Sequence, residues 1–534
     1  MKHFRSIRTF YDAVKGIRAG IRKEGIAYMI TVALESVVGG AAARTAGMLA
    51  ASPLVARVFI VGDGRELPPG NKCKLIRGVN LAVGKTMTEL LRRVRTEYLL
   101  LVAVAEGIEL GSRVLERLVD VGAATGAGMI YGDCDEEAPE GEVREHPVIA
   151  WQLGSIRDDF SFGPLRFFSL AVVRRALAAC GPLPPDHAAL YDLCLKVSEI
   201  APIVHVPERL CRRRPAPAPV PAFGKEGGEA HFAYVDPRNL AYQREMEAAA
   251  TAHLHRLGAW LPPSFRRLPA RNAAPYPVEA SVVIPVRNRE KTIADAVRSA
   301  LGQETDFPYN VLVVDNHSTD ATPVIVAGLA GRDPRVELLT PARRDLGIGG
   351  CWNEAVYSPR CGRYAVQLDS DDLYGGPDSL ERLVAELQTG RAAAVIGSYT
   401  LVDEELREIP PGLIDHREWT EENGRNNALR VNGFGAPRAF RTDILRGFGG
   451  FPNVSYGEDY AVCLRISRHY RIGRIYESLY LCRRWRDNTD AALPLAERNR
   501  NDAYKDRLRT MEIMARQRLI AGGAGDNHIL EVLS

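Results

Sequence analysis

The sequence predicts an α/β fold laid down twice in tandem, each copy a mostly parallel sheet with helices on its faces. Three observations predict it. Short continuous apolar runs, SVVIPV from Ser281 and VLVVD ending at Asp315, have the length and composition of strands buried on both faces. Between and after them come helical periods. TIADAVRSALGQ places Ile293, Ala296, Val297, Ala300 and Leu301 on one side and stops at Gly-Gln, and Pro323 suits the first turn of PVIVAGLAG. Strands and helices alternating at these lengths imply parallel pairing with covered faces.

The third observation is that the chain matches itself. TEYLLLVAVAEGIELGSRVLERLVDVG from Thr96 parallels GRYAVQLDSDDLYGGPDSLERLVAELQ from Gly362. ALYDLCLKVSE parallels EDYAVCLRISR, PERLCRRR parallels ESLYLCRRW, and RNLAYQREME parallels RNDAYKDRLR. Four matches in one order, displaced by about 260–270 residues, indicate duplication. The copies differ at their acids. Asp369-Ser370-Asp371-Asp372 lines up with Ala103-Val104-Ala105-Glu106, and Glu458-Asp459 with Ala189-Leu190. Asp315 lines up with Gly62, with Asp63 one place later. A catalytically silent first copy is expected, packing on the second to shape or dock an acceptor, or serving dimerisation.

These matches divide the 534 residues into five parts. Residues 1–25 form a basic N-terminal helix, 26–214 the degenerate copy, and 215–274 Pro/Gly-rich connectors holding a helix from about Asn239 to Trp260. Residues 275–490 form the copy that keeps its acids, and 491–534 a helical tail. The N-terminal helix either lies on a membrane surface through Phe4, Ile7, Phe10, Tyr11, Val14 and Ile17 or packs on the first copy. It lacks the build of a secretory signal, and no window is apolar enough to span a bilayer. With 46% apolar and 25% charged residues and a net charge of +3, composition argues for a globular protein and gives no reason to expect a nucleic-acid partner. Nine cysteines without zinc-like spacing fit reduced thiols in the cytoplasm, with the inner membrane face as the alternative placement.

VQLDSDDLY carries the chemistry: an apolar strand runs out into three carboxylates, Asp369, Asp371 and Asp372. Crowded like charges repel, and a hard cation such as Mn²⁺ or Mg²⁺ turns that repulsion into coordination that can hold a diphosphate. The alternative is a turn before a helix capped by Asp378 or Ser379. Asp315, ending a separate strand, makes a second acid at the same sheet edge, where ligands of such folds bind. Gly457-Glu458-Asp459 is either a proton acceptor or a favourable acidic helix start before YAVCLRIS.

SVVIPVRNRE, VLVVDNHSTD, LDSDD, GED and CRRW, in this order over about residues 275–490, resemble a family-2 glycosyltransferase of the inverting GT-A type. The resemblance implies two tandem GT-A, Rossmann-like domains, the first degenerate. It also implies a nucleotide-diphosphate sugar donor, expected to be a UDP-sugar, a glycan or other hydroxyl acceptor, and Mn²⁺ or Mg²⁺. By the same resemblance Asp315, Pro285 and Arg287 border the nucleoside. Asp369 and Asp371 are the metal-binding pair, Asp371 the direct ligand and Asp369 reaching the ribose or the metal's hydration shell. Asp372 contacts the donor sugar or closes a turn. Asp459 is the base and Glu458 orients the acceptor, while Arg484 faces the diphosphate and Trp485 walls the acceptor site. Gly435 and Arg438 border the acceptor pocket.

Two positions depart from the family pattern. Arg486 stands where relatives carry a metal-binding His, and Trp352 where they carry an Arg before Asn353. Arg343 or Arg344 is the electrostatic substitute. Gly347, Gly349 and Gly350 give either close approach to a ligand or a flexible loop. The rival functions are a nucleotide-sugar-binding scaffold, which releases no nucleotide diphosphate, and a sugar nucleotidyltransferase, which releases pyrophosphate. The sugar and the acceptor are not legible, and polysaccharide or cell-envelope synthesis is an expectation at the level of the family.

Overall fold

A computed structural model describes residues 29–35, 41–62, 70–103, 108–138, 141–214, 239–270, 275–484 and 493–522. The basic N-terminal helix, most of the first connector, Asp63, Val104 to Glu106, Trp485 and Arg486 lie outside them. The chain divides into two compact units, one of residues 1–151 and 161–219, the other of 152–160 and 220–534. The first unit contains β1 (Ile30–Glu35), β2 (Val55–Val61), β3 (Cys73–Ile76), β4 (Tyr98–Val102), β5 (Ile108–Leu110), β6 (Met129–Glu137), β7 (Val143–His146), β8 (Leu165–Ser169) and β9 (Ile203–Arg213). The second contains β10 (Ala280–Val286), β11 (Tyr309–Asp315), β12 (Val336–Leu339), β13 (Tyr364–Gln367), β14 (Leu373–Tyr374), β15 (Ala394–Val402), β16 (Glu408–Ile414), β17 (Arg438–Arg441) and β18 (Ile472–Arg483).

The first sheet runs β3-β2-β1-β4-β8-β6-β9-β5, with β7 on β6. The second runs β12-β11-β10-β13-β17-β15-β18-β14, with β16 on β15. Strand for strand the order is the same, as the internal matches predict: both units are GT-A-like α/β sheets. Pairing is parallel from β12 through β11 and β10 to β13, but β17 is antiparallel to both β13 and β15, so each sheet is mixed. The expectation of a mostly parallel sheet rested on strands joined by crossover helices. It missed β17, which enters its sheet after a loop and reverses direction.

The parallel half is apolar for the reason the sequence suggests. Val282, Ile284, Val311 and Val313 are buried beneath Ile293, Ala296, Val297 and Ala300 of the helix Ile293–Leu301. Burying each large aliphatic side chain contributes roughly 1.5–3 kcal/mol, enough to fix which face of every strand looks inward. The helix Thr322–Ala330 begins with Pro323 in its first turn. Ser379–Gln388 begins after Asp378, with Gly376 N–H donating to Ser379 Oγ at 3.2 Å. Of the anticipated tail, Leu495–Ala521 is one long helix whose buried face is charged: Asp506, Arg509, Glu512 and Arg516 are all inaccessible.

Candidate active site

β11 and β12 lie on one side of β10, and β13 on the other. The chain therefore changes direction between β10 and β13, and a crevice opens beyond the carboxyl ends of strands at such a switch point. Pro285 and Arg287 lie at the end of β10, with Arg287 exposed. Val286 is in register with Asp315, which ends β11. Asp315 is buried and accepts the Ser318 N–H at 3.3 and 3.4 Å. The loops after the two strands are tied together, Asn288 Oδ1 accepting from Thr319 N at 2.8 Å and Asn288 N donating to Ser318 Oγ at 2.8 Å. Asn288 and His317 both have left-handed backbones, φ 53° and 56°, a cost that tends to collect at ligand sites.

The three acids follow β13. Asp369 takes both Nε2 contacts from Gln367, at 3.0 Å to each oxygen, and its own N–H donates to Tyr480 Oη at 3.0 Å. Burial pushes its carboxyl up, with Asp371 adding to the rise and Gln367 opposing it. Asp372 is buried too. Its Oδ1 accepts the Arg483 N–H at 2.8 Å and its N–H donates to Asp369 O at 3.2 Å, so it closes the turn. Burial first, then the charges of Asp371 and Asp369, push Asp372 well above the usual carboxylate range. Asp371 is a quarter exposed, with Arg289 Nε 3.4 Å from its Oδ2. Arg483 Nε donates to Asp371 O, so the first arginine of CRRW holds the acidic turn in shape. Arg484 is half-buried and donates its N–H to Val402 O at 2.8 Å.

Among the described residues no three His, Cys, Asp or Glu side chains converge as a metal cage. Mg²⁺-type sites seldom need one, because one or two carboxylates share the ion with substrate phosphates and water. The residues present fit such an ion. Asp371 offers a partly exposed oxygen, and the charge of Asp371 adds to the rise of Asp369, a repulsion that a cation would relieve.

The second acidic pair starts the helix Glu458–His469, after Gly457 in the left-handed region. Asp459 Oδ2 lies 2.5 Å from Arg438 Nη2, and Arg438 Nη1 donates to Gln367 Oε1 at 2.9 Å. One relay, Asp369–Gln367–Arg438–Asp459, thus joins the acids after β13 to the acids of GED. Burial alone would raise Asp459, but Arg438 and then Lys505 outweigh it and hold the carboxyl low. Glu458 lacks such a partner: burial, with Asp459 next in weight, pushes it up to about 8, and its buried Oε2 has no hydrogen bond among the described residues.

The glycine-rich segment before Asn353 serves neither of its expected uses. A Cβ on Gly349 would stand 2.0 Å from Pro452 O and 3.0 Å from Glu458 Cβ, and one on Gly347 2.4 Å from Val454 C. These glycines let the helix Ile348–Tyr357 press on the loop that leads into GED. Trp352 is buried, stacked on Phe451 at 5.0 Å, and Arg343 pairs with Asp345 at 2.5 Å. Gly435 takes φ 95° beside His416.

The first copy shows what remains when the acids go. Ser169 and Arg441 sit opposite Tyr98 and Tyr364, and Arg166 and Arg438 occupy the same place upstream of them. Arg166 keeps the arginine, but Leu190 replaces its carboxylate partner. Burial lowers the pKa of Arg166, and the nearby Glu35 only partly opposes that. Sequence patterns missed Gln367, Arg289 and Lys505. Gln367, a polar residue closing an otherwise apolar strand, was the one legible signal.

Carboxylates at the switch point of a GT-A-like sheet, joined to a second acidic pair, are a donor set suited to a cation and a diphosphate. Residues 281–448 match the family described as Glycosyl transferase family 2. The chain is 33% identical over 148 residues to the succinoglycan biosynthesis protein ExoO of Rhizobium meliloti, covering 28% of this chain and 38% of that protein. It is 30% identical over 173 residues to the chondroitin synthase of Pasteurella multocida, covering 32% and 17%. It thus spans well under half the length of these relatives. Among solved structures, S. aureus TarS 1–349 in complex with UDP-GlcNAc aligns with a TM-score of 0.34 and 20% identity over 45% of this chain and 72% of that one. The mannosyltransferase PcManGT from Pyrobaculum calidifontis, in complex with GDP-Man and Mn²⁺, aligns with a TM-score of 0.32 and 20% identity over 54% and 86%. No described helix is long and apolar enough to cross a membrane.

Proposed function

We propose that the chain transfers a sugar, with inversion, from a nucleotide-diphosphate donor, a UDP-sugar first among the candidates, to a hydroxyl of a glycan acceptor. The observation that carries this is the relay from Asp369 through Gln367 and Arg438 to Asp459. It sets a donor-side acid and an acceptor-side acid in one frame of hydrogen bonds closed by an ion pair. Pro285, Arg287 and Asp315 border the nucleoside, Asp371 and Asp369 would hold Mn²⁺ or Mg²⁺, and Arg484 and Trp485 flank the diphosphate and acceptor. When bound, the cation neutralises the departing diphosphate. Asp459 accepts the acceptor's proton as the new bond to the anomeric carbon forms, while Glu458 orients the acceptor. Attack opposite the leaving group inverts the centre. The first copy carries no equivalent acids among its described residues and is proposed to be silent. Polysaccharide synthesis in the cytoplasm is the setting proposed, with association at the inner face of the membrane as the alternative.

The experiment is a panel of UDP-glucose, UDP-N-acetylglucosamine, UDP-galactose and GDP-mannose with Mn²⁺, read by nucleotide diphosphate release and thermal shift. Asp371→Ala should abolish release and the Mn²⁺-dependent part of the shift. Its partly exposed position predicts a change in intrinsic stability of no more than about 0.5 kcal/mol. Pyrophosphate in place of nucleotide diphosphate would instead identify a nucleotidyltransferase.

A further inference from the structure

The family match ends at residue 448, yet one charge beside Asp459 comes from beyond it. Lys505, on the helix Leu495–Ala521, is buried, donates from Nζ to Asn432 O at 2.7 Å, and lies over the rings of Tyr456 at 4.4 Å and Tyr460 at 5.5 Å. Gly457, immediately before the acidic pair, has Lys505 Cγ 3.5 Å from where its Cβ would be. The charged groups facing Lys505 are Asp459 and Glu458 from the helix Glu458–His469, and Asp502 and Arg509 from its own helix. Asp459 in turn faces Arg438 from β17.

What orients this helix is a stretch of chain from far away. Residues 152–160 leave the first unit, belong to the second, and return. Ser155 Oγ donates to Asp506 Oδ2 at 2.8 Å, and Arg157 Nε to Asp506 Oδ1 at 3.2 Å. Arg157 also pairs with Asp159 at 2.7 Å and Asp502 at 3.4 Å, Arg430 pairs with Asp158, and Asn432 Nδ2 donates to Asp159 Oδ2 at 3.0 Å. Gly154 N–H donates to Thr510 Oγ1 at 2.8 Å, and a Cβ there would stand 2.1 Å from Asp506 O, so the backbones touch. Asp506 is the immediate neighbour of Lys505. Locking one fixes the rotation of the other.

Building on the proposed base role of Asp459, we propose that Lys505 is a positioning residue which keeps Asp459 ionised and aimed, and that residues 152–160 lock the helix that delivers it. Lys505 is itself brought down to about 8, burial opposing its charge more than Asp459 restores it. The signs follow. With Lys505 charged, Asp459 stays deprotonated to lower pH.

The test is the pH dependence of kcat/KM for the full-length chain, with a nucleotide sugar of the panel and Mn²⁺, read by nucleotide diphosphate release. Lys505→Met should raise the acid limb by about one pH unit or more, the usual effect of losing a close opposite charge. Lys505→Arg should keep the acid limb in place, because the guanidinium carries the same charge. Arg157→Met should move the acid limb the same way by less, and the double variant should move it no further than Lys505→Met alone. An acid limb of Lys505→Met superimposing on wild type would overturn the role of Lys505, and additive shifts would overturn that of residues 152–160. Lys505→Gln, which also removes the charge, covers the case in which Lys505→Met does not fold. No release by the wild type from any donor would overturn the transferase reading itself, and the proposal with it.

Discussion

Replacing Arg438 by Met removes the guanidinium that pairs with Asp459, and the structure sets the size of the effect. The pair is 2.5 Å apart, its side chains 15% and 22% exposed, so solvent screens it little. Stripping one partner from a buried pair costs about 3–5 kcal/mol, because the remaining charge is stranded. Lys505 still faces Asp459 and returns part of that, which leaves about 2–3 kcal/mol near neutral pH. The loss depends on pH, with a definite sign. In the wild type Asp459 is held below its ordinary value, so its contribution is present above the unfolded pKa and lost only as pH falls through the lower folded one. Without Arg438, burial dominates and the folded pKa rises above the unfolded one. The penalty is then largest at high pH and fades as Asp459 takes up a proton, by about 1.4 kcal/mol per pH unit between the two values. Urea unfolding at about pH 7.5 and about pH 5 reads both, and the gap between variant and wild type should narrow at the lower pH. A deficit of equal size at the two values would refute the electrostatic account and leave lost packing as the cause.

Two further outcomes follow from close contacts. Gly349→Ala pushes a methyl group into Pro452 O and should cost about 1–3 kcal/mol by denaturant titration, with a fall in kcat because the loop into GED must shift. Tyr480→Phe strands the Asp369 N–H in the interior. It should cost about 1–3 kcal/mol and weaken Mn²⁺-dependent thermal shifts, since the acidic turn loses its fixed point.

What was legible in the sequence and what was not separate along physical lines. Asp315 and Asp369 end apolar runs, and a strand's end is written locally, so both were expected at the same sheet edge and both are there. The duplicated plan was legible because the same apolar spacing recurs in order. Pairings between distant segments were not legible. Nothing in RAFR says that Arg438 will face Asp459, since β17 reverses against β13 and only that reversal aims the side chain. Leu495–Ala521 reads as a polar tail because its buried face is lined with Asp506, Arg509, Glu512 and Arg516, whose burial is offset by partners far along the chain. Residues 152–160 contain no repeat or motif, and their role rests wholly on those partners.

The excursion of residues 152–160 has a consequence for how such a chain can be cut and inherited. No single break in the gene yields a complete second half: a fragment starting in the Pro-rich stretch lacks a piece encoded some sixty residues upstream. Supplying that short peptide in trans to the isolated C-terminal fragment is the direct way to see the dependence.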